Sequence, residues 1–229
     1  GNVEGARYFL AGSPGNRTSW PAQTVNYSES HDDYCWLDRI TENADHQGWN
    51  PTPVDRRRTH LMGAFLFASL GIPMLSAGQD ALRTKQGVHN TYQRGDLNAI
   101  DYERRVYYSA TARYFAGWIR LRLSPAGRLL RPGSHREGYL AFSAADGSSA
   151  LACLYGADGS SGDARLLFAI NPRFEPALLP WPEQSPREGW VQLADQERVG
   201  AGGLEGALHR LTPEGIYLPA LSCGLWTKR

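Results

Sequence analysis

The stretch NPTPVDRRRTHLMGAFLFASLG, residues 50 to 71, reads as one well-marked helix with a β-prone run on each side of it. Thr52 is a candidate N-cap, Pro53 stands at the first helical position, and Asp55 completes a capping-box spacing. The apolar stripe runs through Val54, Leu61, Met62, Phe65, Leu66 and Leu70, and Gly71 offers a left-handed cap behind it. Before the helix lies TVNYS, Thr24 to Ser28, bounded by Pro21 and by polar residues. After it Ile72 to Ala77 follows at once and reads as a buried strand. Strand, helix and strand through tight connections predict a βαβ unit with parallel strands.

Downstream, a long polar loop covers Gly78 to Ile100. Asp101 can cap a further helix that carries Val106, Tyr107, Ala110, Tyr114, Trp118, Ile119 and Leu123 at helical spacing and is closed by Pro125. Beyond about Leu130 the period changes to two. The runs GYLAFS, ALACLY, ARLLFAI, GWVQLA and IYLPALSCGLW are separated by Asp146-Gly147 and by Gly-rich stretches at 156 to 162 and 200 to 206. An antiparallel β-sandwich is the expected outcome. No internal repeat is visible.

Composition narrows the partners. The 229 residues suffice for one large domain or two ordinary ones. Lys and Arg number 24 against 23 Asp and Glu, a net charge of +1, so no long-range field draws the chain to nucleic acid or to anionic lipid. No apolar run reaches the roughly 18 residues of a membrane span, and GNVEGARYFL lacks a signal-peptide layout. Cys35, Cys153 and Cys223 are odd in number and carry no CxxC spacing. Buried thiols are expected, with neither a disulfide framework nor a zinc site, and this usage leans toward a cytoplasmic setting.

In parallel βα architectures the reactive groups sit on loops after the C-terminal ends of strands. The first candidate strand ends in Glu29, Ser30, His31, Asp32 and Asp33; the second ends in Gly78, Gln79 and Asp80, with Arg83 following. Acid-rich loops at a shared mouth suit chemistry that develops positive charge, of which glycoside hydrolysis is a leading example. On pattern alone a His-Asp pair in a loop is more often a cap or a turn than a catalyst, and spacing by itself leaves both readings open.

Two longer stretches decide between them. VNYSESHDD, residues 25 to 33, resembles the motif at the seventh barrel strand of the α-amylase superfamily of glycoside hydrolases, above all its pullulanase and isoamylase branch. GIPMLSAGQDALRTKQGVHNTYQRGDLNAIDYERR, residues 71 to 105, resembles the eighth strand and following loop of the same enzymes. The resemblance covers Asn2 to about Pro132, with a looser match to the C-terminal β-sandwich of that family. It implies an α/β plus all-β chain: the C-terminal part of a (β/α)8 TIM-type barrel, its last two βα units, over residues 1–130, followed by an antiparallel β-sandwich domain over residues 131–229.

Carried over residue by residue, Asp32 matches the invariant carboxylate that hydrogen-bonds sugar hydroxyls at the cleavage subsite and steadies the transition state. His31 matches the histidine that contacts the same sugar. Asn90, Tyr92, Asp96 and Asn98 match the loop that lines donor-side subsites in pullulanase-like relatives, and Arg83 its approach. This sequence departs from the family where Asp80 replaces a usual Glu, Tyr102 a usual Trp and Asp33 a frequent Asn.

The nucleophile and general acid of retaining hydrolysis lie about 5 to 5.5 Å apart, and in this family they come from strands four and five, upstream of Gly1. The resemblance therefore implies a fragment with one of three catalytic carboxylates, inactive alone, from a parent that cleaves α-1,6 branches in α-glucan oligo- or polysaccharides with retention. It implies no organic cofactor, and a structural calcium would belong to the parent. Strand edges left uncovered favour self-association. Two alternatives are a non-catalytic carbohydrate-binding or interaction module and an α-glucan transglycosylase of the same superfamily.

Overall fold

The computed structural model describes residues 2–15, 18–134, 136–206 and 209–228. An N-terminal helix, α1 (Val3–Leu10), and a two-residue strand, β1 (Val25–Asn26), precede a short helix, α2 (Trp36–Ile40), and the long helix α3 (Pro53–Ala68). The predicted start of α3 is observed: Thr52 Oγ1 accepts from the Asp55 N–H at 3.1 Å, and Asp55 Oδ2 accepts from the Thr52 N–H at 3.0 Å. Asp55 is fully buried, yet it also accepts from Thr41 Oγ1 and the Glu42 N–H, so its oxygens are satisfied.

The C-terminus of α3 differs from expectation. The helix ends at Ala68, and its last carbonyls are taken by distant side chains: Arg122 donates to Phe67 O and Ser69 O at 2.6 and 2.8 Å, and the Tyr155 hydroxyl to Ala68 O at 2.7 Å. Gly71 is left-handed at φ +91°, and it serves the close approach to Pro21 and Thr24 rather than the cap.

Strand β2 (Ile72–Pro73) follows and pairs with β1 in parallel, Val25 against Ile72 and Asn26 against Pro73, so the βαβ connection is present. The expectation of a buried strand from Ile72 to Ala77 is corrected. The ladder stops after two residues, and Val25, Tyr27, Ile72 and Met74 remain between 39% and 50% exposed because nothing among the described residues covers that side of the pair. Asn26, pointing the other way, is buried and donates to Phe9 O of α1 at 2.9 Å.

The predicted single helix after Asp101 is two. Asp101 Oδ1 accepts from the Glu103 N–H at 2.9 Å, but after two short helices, α4 (Gly95–Asn98) and α5 (Glu103–Tyr107), the chain breaks at Tyr108 before α6 (Ser109–Leu123). The break separates Val106 and Tyr107 from the stripe of α6. Tyr114 and Trp118 are buried as expected, together with Thr111, Phe115 and Leu121, whereas Val106, Tyr107, Ala110, Ile119 and Leu123 face outward.

The rest is an antiparallel sandwich. Strands β3 (Leu140–Ala144), β4 (Leu151–Tyr155), β5 (Arg165–Asn171), β7 (Val191–Ala194) and β10 (Ser222–Lys228) form a sheet in the order β3-β4-β5-β10-β7. Strands β6 (Ala177–Leu179), β8 (Arg210–Leu211) and β9 (Ile216–Leu218) form a second, in the order β6-β9-β8. The run IYLPALSCGLW is split by Pro219 into β9 and β10, and β6 and β8 go beyond the predicted strands. Along β5 the pleat divides the side chains. Leu166, Phe168 and Ile170 join a core with α3 and α6, while Leu167 and Ala169 meet Trp181, Ile216 and Leu218 of the second sheet. A sheet buried on both faces explains why β4 reads as an unbroken apolar run. Cys35, Cys153 and Cys223 are free and buried. No helix among the described residues is long and apolar enough to cross a membrane.

Candidate active site

The loop after β1 is built on a buried acid. Glu29 Oε2 accepts from the Trp36 N–H, and burial pushes the carboxyl above its ordinary range. Beyond it the chain turns outward. The side chains of His31 and Asp32 are 89% and 70% exposed, with Nε2 and Oδ2 3.5 Å apart. Asp33 is left-handed at φ +57°, and its carboxylate is held by His89 Nε2 at 2.7 Å and Arg39 at 3.8 Å. Its N–H donates to Asn90 Oδ1 at 3.2 Å.

The anchor of this loop is Lys85. Its side chain is buried, and its ammonium donates to the main-chain carbonyls of Asp33 and, at 3.4 Å, of His31. A buried cation is costly unless it is hydrogen-bonded; here the two carbonyl dipoles that bracket Asp32 supply the partners. Lys85 is in turn fixed through its own N–H, which donates to the buried Asp38 Oδ2 at 2.7 Å, while Asp38 Oδ1 accepts from the Gly48 N–H at 3.0 Å and from Thr84 Oγ1.

The loop after β2 carries the remaining candidates. At its root Gln79 Nε2 donates to Ser28 Oγ at 2.7 Å, joining the two loops. Arg83 donates to Asn98 O at 3.1 Å, and the Asn98 amide is tied to Thr91. Asp96 forms a two-pronged pair with Arg94 at 2.9 and 2.7 Å, which holds its carboxyl below the ordinary range. Tyr92 is 81% exposed. Leu82, Gln86 and Asn90, like Asp33, are non-glycine residues with positive φ. Each costs on the order of 1–3 kcal/mol and persists because its surroundings over-determine it.

Arg83 and Asp96 line a cleft of about 220 Å³ together with Trp49, Leu97, Asp101 and Arg104. His31, Asp32, Asn90, Tyr92 and Asn98 are not among its lining residues. The structure thus brings Asp32 and Asn90 onto neighbouring turns through Asp33, and Arg83, Asp96 and Asn98 onto the adjoining cleft loop. Lys85 and Asp38 were not singled out in the sequence, although Lys85 stands inside the second quoted motif, and Glu29 was named only as part of the acid-rich loop. No group of three or more His, Cys, Asp or Glu side chains among the described residues is arranged to hold a metal ion.

With this geometry in hand, comparison with known proteins gives a consistent likeness. No protein-family model matches the chain. It is 33% identical over 140 residues to a pullulanase of Bacillus subtilis (strain 168), a match that covers 56% of this chain and 19% of that protein. Among solved structures, it is similar to the catalytic module of the multi-modular glycogen-degrading pneumococcal virulence factor SpuA, with a TM-score of 0.83 and 17% identity over 100% of this chain and 39% of that one. It is also similar to a pullulanase from Paenibacillus barengoltzii in complex with maltohexaose and alpha-cyclodextrin, with a TM-score of 0.76 and 26% identity over 100% of this chain and 34% of that one. The chain thus spans well under half the length of each of these relatives.

Proposed function

We propose that this chain is the C-terminal part of a pullulanase-like, retaining α-glucan debranching hydrolase, carrying one of its three catalytic carboxylates, Asp32. In this reading residues 1–130 are the last two βα units of a TIM-type barrel and residues 131–229 its appended sandwich. The observation that carries it is the presentation of Asp32: an exposed carboxylate just beyond β1, on a turn whose flanking carbonyls are both held by the buried Lys85. The likeness to pullulanases supports it independently.

The chemistry follows from that placement. Cleavage of a glycosidic bond develops positive charge on the sugar ring, and a fixed carboxylate beside the ring stabilises that charge more than mobile water does. Asp32 supplies the carboxylate and accepts from ring hydroxyls. His31, on the same turn, contacts the same sugar. Arg83 and Asp96 engage the neighbouring glucosyl units, with Tyr92 at the rim, and Asn90 and Asn98 hold the loops that carry them. The nucleophile and the general acid come from the rest of the parent protein. The exposed apolar side of the β1–β2 pair, Val25, Tyr27, Ile72 and Met74, is where the remaining barrel strands would pack.

The test is Asp32→Asn in the intact protein, assayed for reducing ends released from pullulan. Turnover should fall at least about a hundredfold, with the melting temperature unchanged because the side chain is exposed. Near-normal turnover would remove Asp32 from the chemistry.

A further inference from the structure

We infer that Trp49 is a stacking platform for a glucosyl residue in the cleft that Arg83 and Asp96 also line; the inference rests on the α-glucan reading above. Single exposed aromatics are common on protein surfaces and need no explanation. Trp49 differs because it lies on a cleft and is held there rigidly, although 45% of it stays exposed.

The rigidity has three sources. The preceding Gly48 N–H donates to the buried Asp38, and a side chain at Gly48 would come within 2.7 Å of Leu37 Cγ, so the turn is seated tightly on α2. The Trp49 carbonyl accepts from Arg104 Nη1 at 3.0 Å. The Arg104 guanidinium itself is buried, clamped by Leu82 O, and packed over the rings of Trp49 and Tyr108 at 5.3 and 5.0 Å. The indole is therefore backed by a cation that is already fully engaged.

The lining of the cleft thus combines an aromatic ring, Trp49, with donors and acceptors, Arg83, Asp96 and Asp101. A pyranose has the complementary form, with apolar C–H faces and a rim of hydroxyls. Stacking on a pre-ordered ring adds affinity without further ordering cost. Trp49 lies outside both family-like motifs, in the turn between α2 and α3.

The experiment is calorimetric titration of the intact protein with maltotetraose, before and after Trp49→Ala. The substitution should weaken binding roughly tenfold. Equal affinity in the two proteins overturns the platform while leaving the glucan reading standing. Absence of binding by the unsubstituted protein overturns both. A second measurement needs no disruptive variant: the Trp49 indole N–H resonance, identified by its loss in Trp49→Phe, should shift on addition of maltotetraose, and an unmoved resonance overturns the platform.

Discussion

The ammonium of Lys85 binds the main-chain carbonyl of Asp33, 52 residues earlier in the chain, and with the carbonyl of His31 it brackets Asp32. Replacement by methionine keeps an unbranched apolar stem out to Cε and removes both bonds. A hydrogen bond to a charged donor contributes about 1.5–3 kcal/mol net, so Lys85→Met should release the turn before it unfolds the protein. Amide exchange at residues 31 to 34 should accelerate, and turnover of the intact protein should drop at least about tenfold with a smaller change in KM. Lys85→Arg should recover part of the loss. Wild-type exchange and turnover in Lys85→Met would show that the turn holds itself.

Asp33 has a different job from its neighbour. Its partners His89 and Arg39 are themselves about half exposed, and exposed pairs contribute about 0–1 kcal/mol. Its backbone is left-handed, a conformation that Asn tolerates and a β-branched residue resists. Asp33→Asn should therefore change stability by less than about 1 kcal/mol, whereas Asp33→Val should cost on the order of 1–3 kcal/mol. Urea denaturation of the two variants separates charge from backbone, and equal losses would refute the assignment.

Much of this was legible because it is local. The Thr52–Asp55 box spans three residues, the apolar runs between Gly-rich turns mark β3, β4, β5 and β7, and the turn carrying Asp32 sits inside a motif that can be read off the chain. What escaped depends on partners far away in sequence. Lys85 reads as an ordinary solvated charge until Asp33 is brought to it. Arg122 and Tyr155, not Gly71, finish α3 because the tertiary fold delivers them. Ile72 looks like core by composition, and its exposure reflects what packs against β2 rather than the residue itself. Val106 and Tyr107 fall off the stripe of α6 because nothing in residues 101 to 109 announces the break at Tyr108.

The apolar side of the β1–β2 pair makes a concentration-dependent prediction. Val25, Tyr27, Ile72 and Met74 together present a contiguous apolar strip on a two-stranded edge, a combination that invites pairing between molecules. Sedimentation of the isolated 229-residue chain should show association at micromolar concentration. The double substitution Val25→Lys and Ile72→Glu should return it to monomer without lowering its melting temperature, because both side chains are half exposed. A monomer before substitution would mean that the strip is shielded in solution.

His60 predicts how stability responds to acid. Its ring lies on Tyr114 at a centroid distance of 4.2 Å, with Nδ1 2.8 Å from the Gln196 carbonyl and Nε2 3.0 Å from Thr111 Oγ1. A carbonyl only accepts, so Nδ1 carries the hydrogen, and in the neutral ring Nε2 accepts from the threonine hydroxyl. Burial, aided by Arg56 and Arg57 and opposed by the Gln196 bond and Glu197, lowers its pKa from 6.5 to about 4. The unfolded chain therefore binds this proton near pH 6.5 and the folded chain only near pH 4. Between those values the unfolded state holds more protons, so the contribution is complete above pH 6.5 and is lost as pH falls toward 4, up to roughly 3 kcal/mol in all. Because His60 joins α3 to α6 and to the turn after β7, its loss should appear in the global unfolding transition. Denaturant midpoints measured from pH 7 to pH 4.5 should fall steeply in the wild type and more gently in His60→Gln, which starts lower at pH 7; parallel slopes would assign the acid sensitivity to another group.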